Sequence, residues 1–220
     1  AEYLKARCNP IWTYPEDTHV WIKQQPDLSV PGFHYLDVLD APERVGWLKK
    51  NPQCGVIAAS TSAYDYLTEI LGRDDVVLIP KHHVNFERVR RDRERDIRVA
   101  GVVGGQGAIQ CDLGELEKTL KKLGIEFRWL KRFKNPAGIV KFYEDLDVQI
   151  VWRMIDRPLK NPLKIVNAMS FGIPTVAYSE VGYEEVEGYY WPARTMEEMA
   201  EMVEDLKGGF DADRLIDKAE

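Results

Sequence analysis

Three cysteines in 220 residues are too few and too far apart for a disulfide framework. Cys8, Cys54 and Cys111 are odd in number and lack the paired spacing of a zinc site, so the sequence predicts a reducing, cytoplasmic setting and no structural metal. No apolar run approaches the roughly 18 residues that spanning a bilayer demands. The start, Ala1-Glu2-Tyr3-Leu4-Lys5-Ala6-Arg7, has no uninterrupted apolar core of a signal peptide, so no export is expected. Excess positive charge is missing too: 30 Lys and Arg against 36 Asp and Glu leave a net charge of -6. That balance argues against non-specific nucleic-acid binding. With 45% hydrophobic residues, the chain has what a buried core needs, which excludes wholesale disorder. Its length lies between one domain of about 150 residues and two.

Short runs rich in Val and Ile alternate with segments of helical period, the pattern of βα units and a parallel sheet, and the alternation occurs twice. The first set comprises strands at His19 to Lys23, Phe33 to Val38, Gly55 to Ala59 and Val76 to Ile79. Helices are expected over Glu43 to Lys50 and from about Ser62. In the second of these, Ala63, Leu67, Ile70 and Leu71 share one stripe and Gly72 is the stop. Phe86 to Arg98 holds six arginines among four acids and reads as a solvated connector. The second set begins with a strand over Ile97 to Val103. A helix capped by Asp112 follows, with Leu113, Leu116, Leu120 and Leu123 on one face. Strands at Glu126 to Leu130, Val148 to Trp152 and Ile173 to Tyr178 continue it. Helices are opened by Asn135-Pro136, by Asn161-Pro162 and by the capping box Thr195-Met196-Glu197-Glu198. The expected class is α/β, with two Rossmann-like doubly wound parallel-sheet domains: residues 1–85, a linker at 86–96, and 97–220. Ala1 to Arg7 reads as a helix already under way, with no opening strand or glycine turn before it. Either the natural chain began earlier or the first domain is reduced.

In such sheets, ligands bind beyond the carboxyl ends of the strands. Gly104-Gly105-Gln106-Gly107 is there either a plain tight turn or a place where backbone N–H groups approach a phosphate. Arg153 through Lys164 combines a strand end, the cations Arg157, Lys160 and Lys164, and a helix start at Asn161. This combination suits a diphosphate, unless it is only a capped helix with solvated lysines. Lys81-His82-His83-Val84-Asn85 follows a strand, and adjacent histidines on an extended segment should point different ways. They therefore suit hydrogen bonding in an interdomain cleft, or simple exposure, better than a metal. Asp37 and Asp40 end a strand of the first domain and are candidates for a general base, with helix capping as the alternative for Asp40. Tyr189-Tyr190-Trp191-Pro192 is either packing or an exposed surface for a partner or the periphery of a membrane.

The run Asn161-Pro162-Leu163-Lys164-Ile165-Val166-Asn167-Ala168-Met169-Ser170-Phe171-Gly172-Ile173-Pro174-Thr175-Val176-Ala177 resembles the donor-binding segment of nucleotide-sugar glycosyltransferases of the GT-B, two-Rossmann type, group 1 or family 4-like. Val181-Gly182-Tyr183-Glu184-Glu185-Val186 is similar to that family's Gly-Gly-x-x-Glu stretch, and Val77 to Val84 to its passage between domains. The resemblance implies that the second domain holds a nucleoside-diphosphate sugar. Lys164 and the Asn161 helix start would face the diphosphate, Arg153 would support them, and Gly104, Gly105 and Gln106 would let it approach. Phe133, in the loop Lys131 to Lys134, would lie at the nucleobase and Glu184 in the donor site. Asn167 stands where many members carry a ribose-binding glutamate, and Leu159 where they carry another. His82 and His83 would line the cleft, with Asp40 or Asp37 as base. The implied function is transfer of a sugar to an unspecified acceptor hydroxyl, with no cofactor and no metal. The alternatives are a nucleotide-sugar epimerase or hydrolase of the same fold, and a non-catalytic nucleotide-sugar-binding module.

Overall fold

The computed structural model describes residues 16–90, 96–133, 135–154 and 159–220. The helix expected over Ala1 to Arg7, and with it Cys8, Lys134, Asp156 and Arg157, lie outside the described residues. The chain divides into two compact units, Ala1–Pro80 and Lys81–Glu220. The division falls after Pro80 because the next residues are bonded into the second unit. The Val84 N–H donates to Asn167 Oδ1 at 2.9 Å, and Asn85 Nδ2 donates to the Ser170 carbonyl at 2.7 Å.

The first unit contains β1 (Thr18–Ile22), β2 (Phe33–Asp37), α1 (Val45–Lys50), β3 (Gly55–Ala58), α2 (Thr61–Leu71) and β4 (Val76–Leu78). Its strands are all parallel, in the order β1-β2-β3-β4. The Ser60 side chain accepts the Ala63 N–H to start α2, and Gly72, at φ 62°, ends it in the left-handed conformation that glycine adopts without strain. Successive right-handed crossovers in one direction put α1 and α2 on the same face of the sheet. Leu36, Val56, Ala58 and Val76 are buried on one face; on the other, by register, Val20, Ile22, Phe33 and Val77 are exposed while Asp37 and Ile57 are buried. Capping by Asp40 is corrected. The short 3-10 turn Pro42–Arg44 starts at Ala41 with no side-chain cap, and Asp40 pairs with Lys23, a nearer source of compensating charge.

The second unit contains β5 (Val99–Val103), α3 (Leu113–Lys122), β6 (Glu126–Leu130), α4 (Pro136–Glu144), β7 (Val148–Val151), α5 (Leu163–Ser170), β8 (Thr175–Ala177), β9 (Trp191–Pro192), α6 (Met196–Lys207) and α7 (Ala212–Ala219). The order is β6-β5-β7-β8-β9, again all parallel. Asp112, Asn135 and Thr195 cap α3, α4 and α6 through their side chains, as the sequence predicts. Alternation along the strands feeds two cores. Ala100, Val102, Ile150 and Val176 pack with Leu116, Leu120, Met199 and Val203 on one face. Val99 packs with Ile139 and Tyr143, and Val151 and Ala177 with Ile165, Met169 and Leu215, on the other. Tyr189, Tyr190 and Trp191 pack on this last cluster, so packing is the reading that holds for them. The fold is therefore the expected α/β class with two parallel-sheet units. Among the described residues, no helix is long and apolar enough to cross a membrane.

Candidate functional site

From β5 the chain crosses to β6 on one side and returns to β7 on the other, so the segments leaving β5 and β7 diverge. Such a reversal opens a crevice at the carboxyl edge of a sheet. Gly104 and Gly105 leave β5 and Arg153 leaves β7, and a short ladder ties the two exits together. Ile109 bridges Trp152, the Gln110 N–H donates to the Trp152 carbonyl at 2.8 Å, and the Met154 N–H donates to Gln110 Oε1 at 3.0 Å.

Gly104 sits at φ 122°, a conformation that favours glycine. Its N–H donates to the Leu130 carbonyl at 2.9 Å, and its carbonyl accepts Trp129 Nε1–H at 2.7 Å. A Cβ there would stand 2.9 Å from the Ala108 Cβ and 3.5 Å from Lys164 Nζ, so the ammonium lies directly over the turn. Gly105 has open space where a Cβ would go, and Gln106 is exposed.

The Lys164 backbone is anchored from below by Gln149, which is fully buried on β7. Gln149 Nε2 donates to the Lys164 carbonyl at 2.8 Å and lies 3.3 Å from Thr175 Oγ1, while its Oε1 accepts the Tyr143 hydroxyl at 2.6 Å. The helix starts at Leu163, later than the expected opening. Asn161 still contributes, because its Oδ1 accepts the Leu163 N–H at 3.2 Å.

Burial pulls Lys164 down to about 8; Arg153 and Lys160 push in the same direction and Glu180 opposes them. Lys160 is 7% exposed and Glu180 6%. Arg153 Nε is buried and has no hydrogen-bond partner among the described residues. Burial, with Glu180 second, pushes the Tyr183 hydroxyl well above its ordinary range. Glu180 was not anticipated. The rule that ligand groups follow strands points to it, since it lies three residues beyond β8. The result is a lysine over a glycine turn with accessible backbone, with two further cations and one carboxylate acting on that lysine, an arrangement suited to a polyvalent anion.

Of the other expected donor residues, Asn167 is buried and its Oδ1 accepts the Val84 N–H. Glu184 is exposed on the 3-10 turn Val181–Val186, and Phe133 is 49% exposed after β6. The expectation that His82 and His83 diverge is corrected: their rings lie 4.0 Å apart, because His82 Nδ1 turns back to the His83 carbonyl at 2.9 Å. His83 is buried, its Nδ1 accepts the Asn85 N–H at 3.2 Å, and burial lowers it to about 4. Both histidines belong to the second unit, whereas Asp37, buried at the end of β2, and Asp40 belong to the first. Among the described residues, no group of three or more His, Cys, Asp or Glu is placed to hold a metal ion.

No protein-family model and no curated protein matches the sequence. Solved structures do resemble the fold. A structure of accessory secretory protein 1, 2 and 3 from Streptococcus pneumoniae matches with a TM-score of 0.59 at 11% identity, over 100% of this chain and 52% of that one. Anabaena Alr3699/HepE, in complex with UDP and glucose, matches with a TM-score of 0.54 at 16% identity, over 87% of this chain and 65% of that one. WaaG, a glycosyltransferase involved in lipopolysaccharide biosynthesis, matches with a TM-score of 0.55 at 10% identity, over 93% and 72%. The chain thus spans about half of the first and just under two thirds of the second. At these identities the likeness is one of fold: two parallel-sheet, Rossmann-like α/β units.

Proposed function

We propose that the chain is the nucleotide-sugar-handling part of a glycosyltransferase that moves a sugar from a nucleoside diphosphate to an acceptor hydroxyl. The observation that carries this reading is the Lys164 ammonium over the Gly104 turn at the point where the sheet order reverses. Displacement at the anomeric carbon leaves a nucleoside diphosphate whose charge grows as the bond breaks. Lys164 and Arg153, with Lys160 behind them, would neutralise that charge without a metal. A base is needed if configuration inverts. Asp37 and Asp40 are the two carboxylates to test, the second of them paired with Lys23. The thiols of Cys54 and Cys111, free among the described residues, fit a reducing, cytoplasmic setting.

The test is calorimetric titration with UDP, GDP, ADP and dTDP in EDTA, for the native chain and Lys164→Ala. One nucleotide should bind in the micromolar range. The variant should weaken it roughly 10- to 100-fold, the loss of one or two charge-assisted hydrogen bonds. No binding by any of the four would remove the reading. Consumption of the sugar form of the bound nucleotide, with and without an acceptor, then separates a transferase from an epimerase or hydrolase. A second reading, a binding module without turnover, is favoured by Asn167, whose Oδ1 is committed to Val84, and by the Asp40–Lys23 pair. It predicts nucleotide binding with no consumption of donor.

A further inference from the structure

We propose that Glu180 is the internal counter-anion of this site: its carboxylate balances the cation cluster when the site is empty and competes with the diphosphate that enters it. The inference rests on the proposed reading of the cluster as a diphosphate site. Val151 pairs in register with Ala177, and the Tyr178 N–H donates to the Val151 carbonyl at 2.9 Å. Arg153 and Glu180 therefore leave neighbouring strands on the same edge of the sheet. Gly182 sits so close to the Lys160 carbonyl that a Cβ would collide with it, which brings the Glu180 segment back against Lys160.

A carboxylate only 6% exposed is costly to ionise unless cations surround it. The groups that act on one another here are Lys164, Arg153 and Lys160 as cations, and the Tyr183 hydroxyl, which burial first and Glu180 second push above its ordinary range. A diphosphate brings more negative charge to the same cations than one carboxylate does. With Glu180 in place, part of its attraction is cancelled by repulsion at short range in a water-poor setting. Glu180 thus limits affinity, which favours release of a nucleoside diphosphate after transfer.

The experiment is titration of the chain with inorganic pyrophosphate and with UDP at pH 6.5, below the value of about 8 to which burial pulls Lys164 in the native chain. Glu180→Gln should bind both probes more tightly, by roughly tenfold. Glu180→Asp, which keeps the charge, should stay near the native value. Damage to folding does not raise affinity, so a gain is a readout that a merely structural role cannot produce. Glu180→Ala serves if the glutamine variant fails to melt cooperatively. Unchanged or weaker pyrophosphate binding in the neutral variant overturns the proposal. So does a loss for UDP alone, which would make Glu180 an acceptor for ribose hydroxyls. Failure of the diphosphate reading itself looks different: Lys164→Ala then leaves pyrophosphate binding unaltered.

Discussion

The sheet of the second unit reverses its strand order once, between β5 and β7, while the described strands of the first run in one direction from β1 to β4. Both sheets are parallel and both are built from strands of at most five residues, so strand direction and length do not separate them. Topology does. The reversal sends helices to both faces of the second sheet, which then carries a core on each side. It also parts the segments that leave β5 and β7, and the glycine turn, Arg153 and Lys164 gather there. Among the described residues of the first unit the order does not reverse, and α1 and α2 share a face.

The largest effect that would test this contrast is in the first unit. Leu36 is fully buried, and Leu36→Ala should cost about 2–5 kcal/mol in urea denaturation. Ile22 lies on the opposite face and is 57% exposed, so Ile22→Ser should change stability by no more than about 0.5 kcal/mol. If the two substitutions cost the same, the second face is covered as well and the contrast between the sheets disappears.

In the second unit, the two neighbouring glycines sharpen the argument. Gly104→Ala imposes a side chain at φ 122° and drives its Cβ into Ala108. It should cost about 1–3 kcal/mol and displace Lys164, which pyrophosphate titration would register as lost affinity. Gly105 is at φ -66° with open space around it, so Gly105→Ala should leave the melting temperature within a degree or two of native, a change of about 0.5 kcal/mol or less. Equal destabilisation by both would mean that the turn tolerates no side chain anywhere, and its tie to Lys164 would lose its meaning.

What could be read from the sequence follows the range of the interactions involved. Asp112, Asn135 and Thr195 each cap a helix through an N–H three residues away, so the signal and its effect share one short window. The glycine turn and Lys164 are legible as local features for the same reason, one as the end of a strand and the other in the first turn of a helix. Capping by Asp40 does not hold, and its partner Lys23 comes from another turn of the chain, outside any short window. Asn167 looked like a ligand group from its place in a motif. Which group its oxygen meets depends on Val84, 83 residues earlier. Glu180 carried no local signal except its position after a strand, and only the adjacent exit of β7 shows what it faces. α7 was missed too: its cap, Asp211, is clear, but its eight residues hold only Leu215 and Ile216 as buried anchors. Strand order, the feature that decides where the site lies, is written in no single segment.

The smallest expected effect concerns the start of the second unit, where His83 stands two residues before Asn85 and its three hydrogen bonds to Val89 and Ser170. Burial, more than the neighbouring charges, holds His83 at about 4 against an ordinary 6.5; His82 and Arg88 act in the same direction and Glu220 opposes them. Above pH 6.5 the ring is neutral whether the chain is folded or not, and it contributes no slope. Between 6.5 and 4 the unfolded chain takes up a proton that the folded chain refuses, so stability falls as pH falls through that window and levels off below it. His83→Gln keeps an acceptor for the Asn85 N–H but cannot titrate. Carboxylates begin to protonate in the same range, so the informative quantity is the difference between the two denaturation midpoints at each pH. That difference should shift in favour of His83→Gln as pH drops from 6.5 to 4. A constant difference would mean that the ring reaches water, and that the segment after Pro80 is not closely held to the second unit.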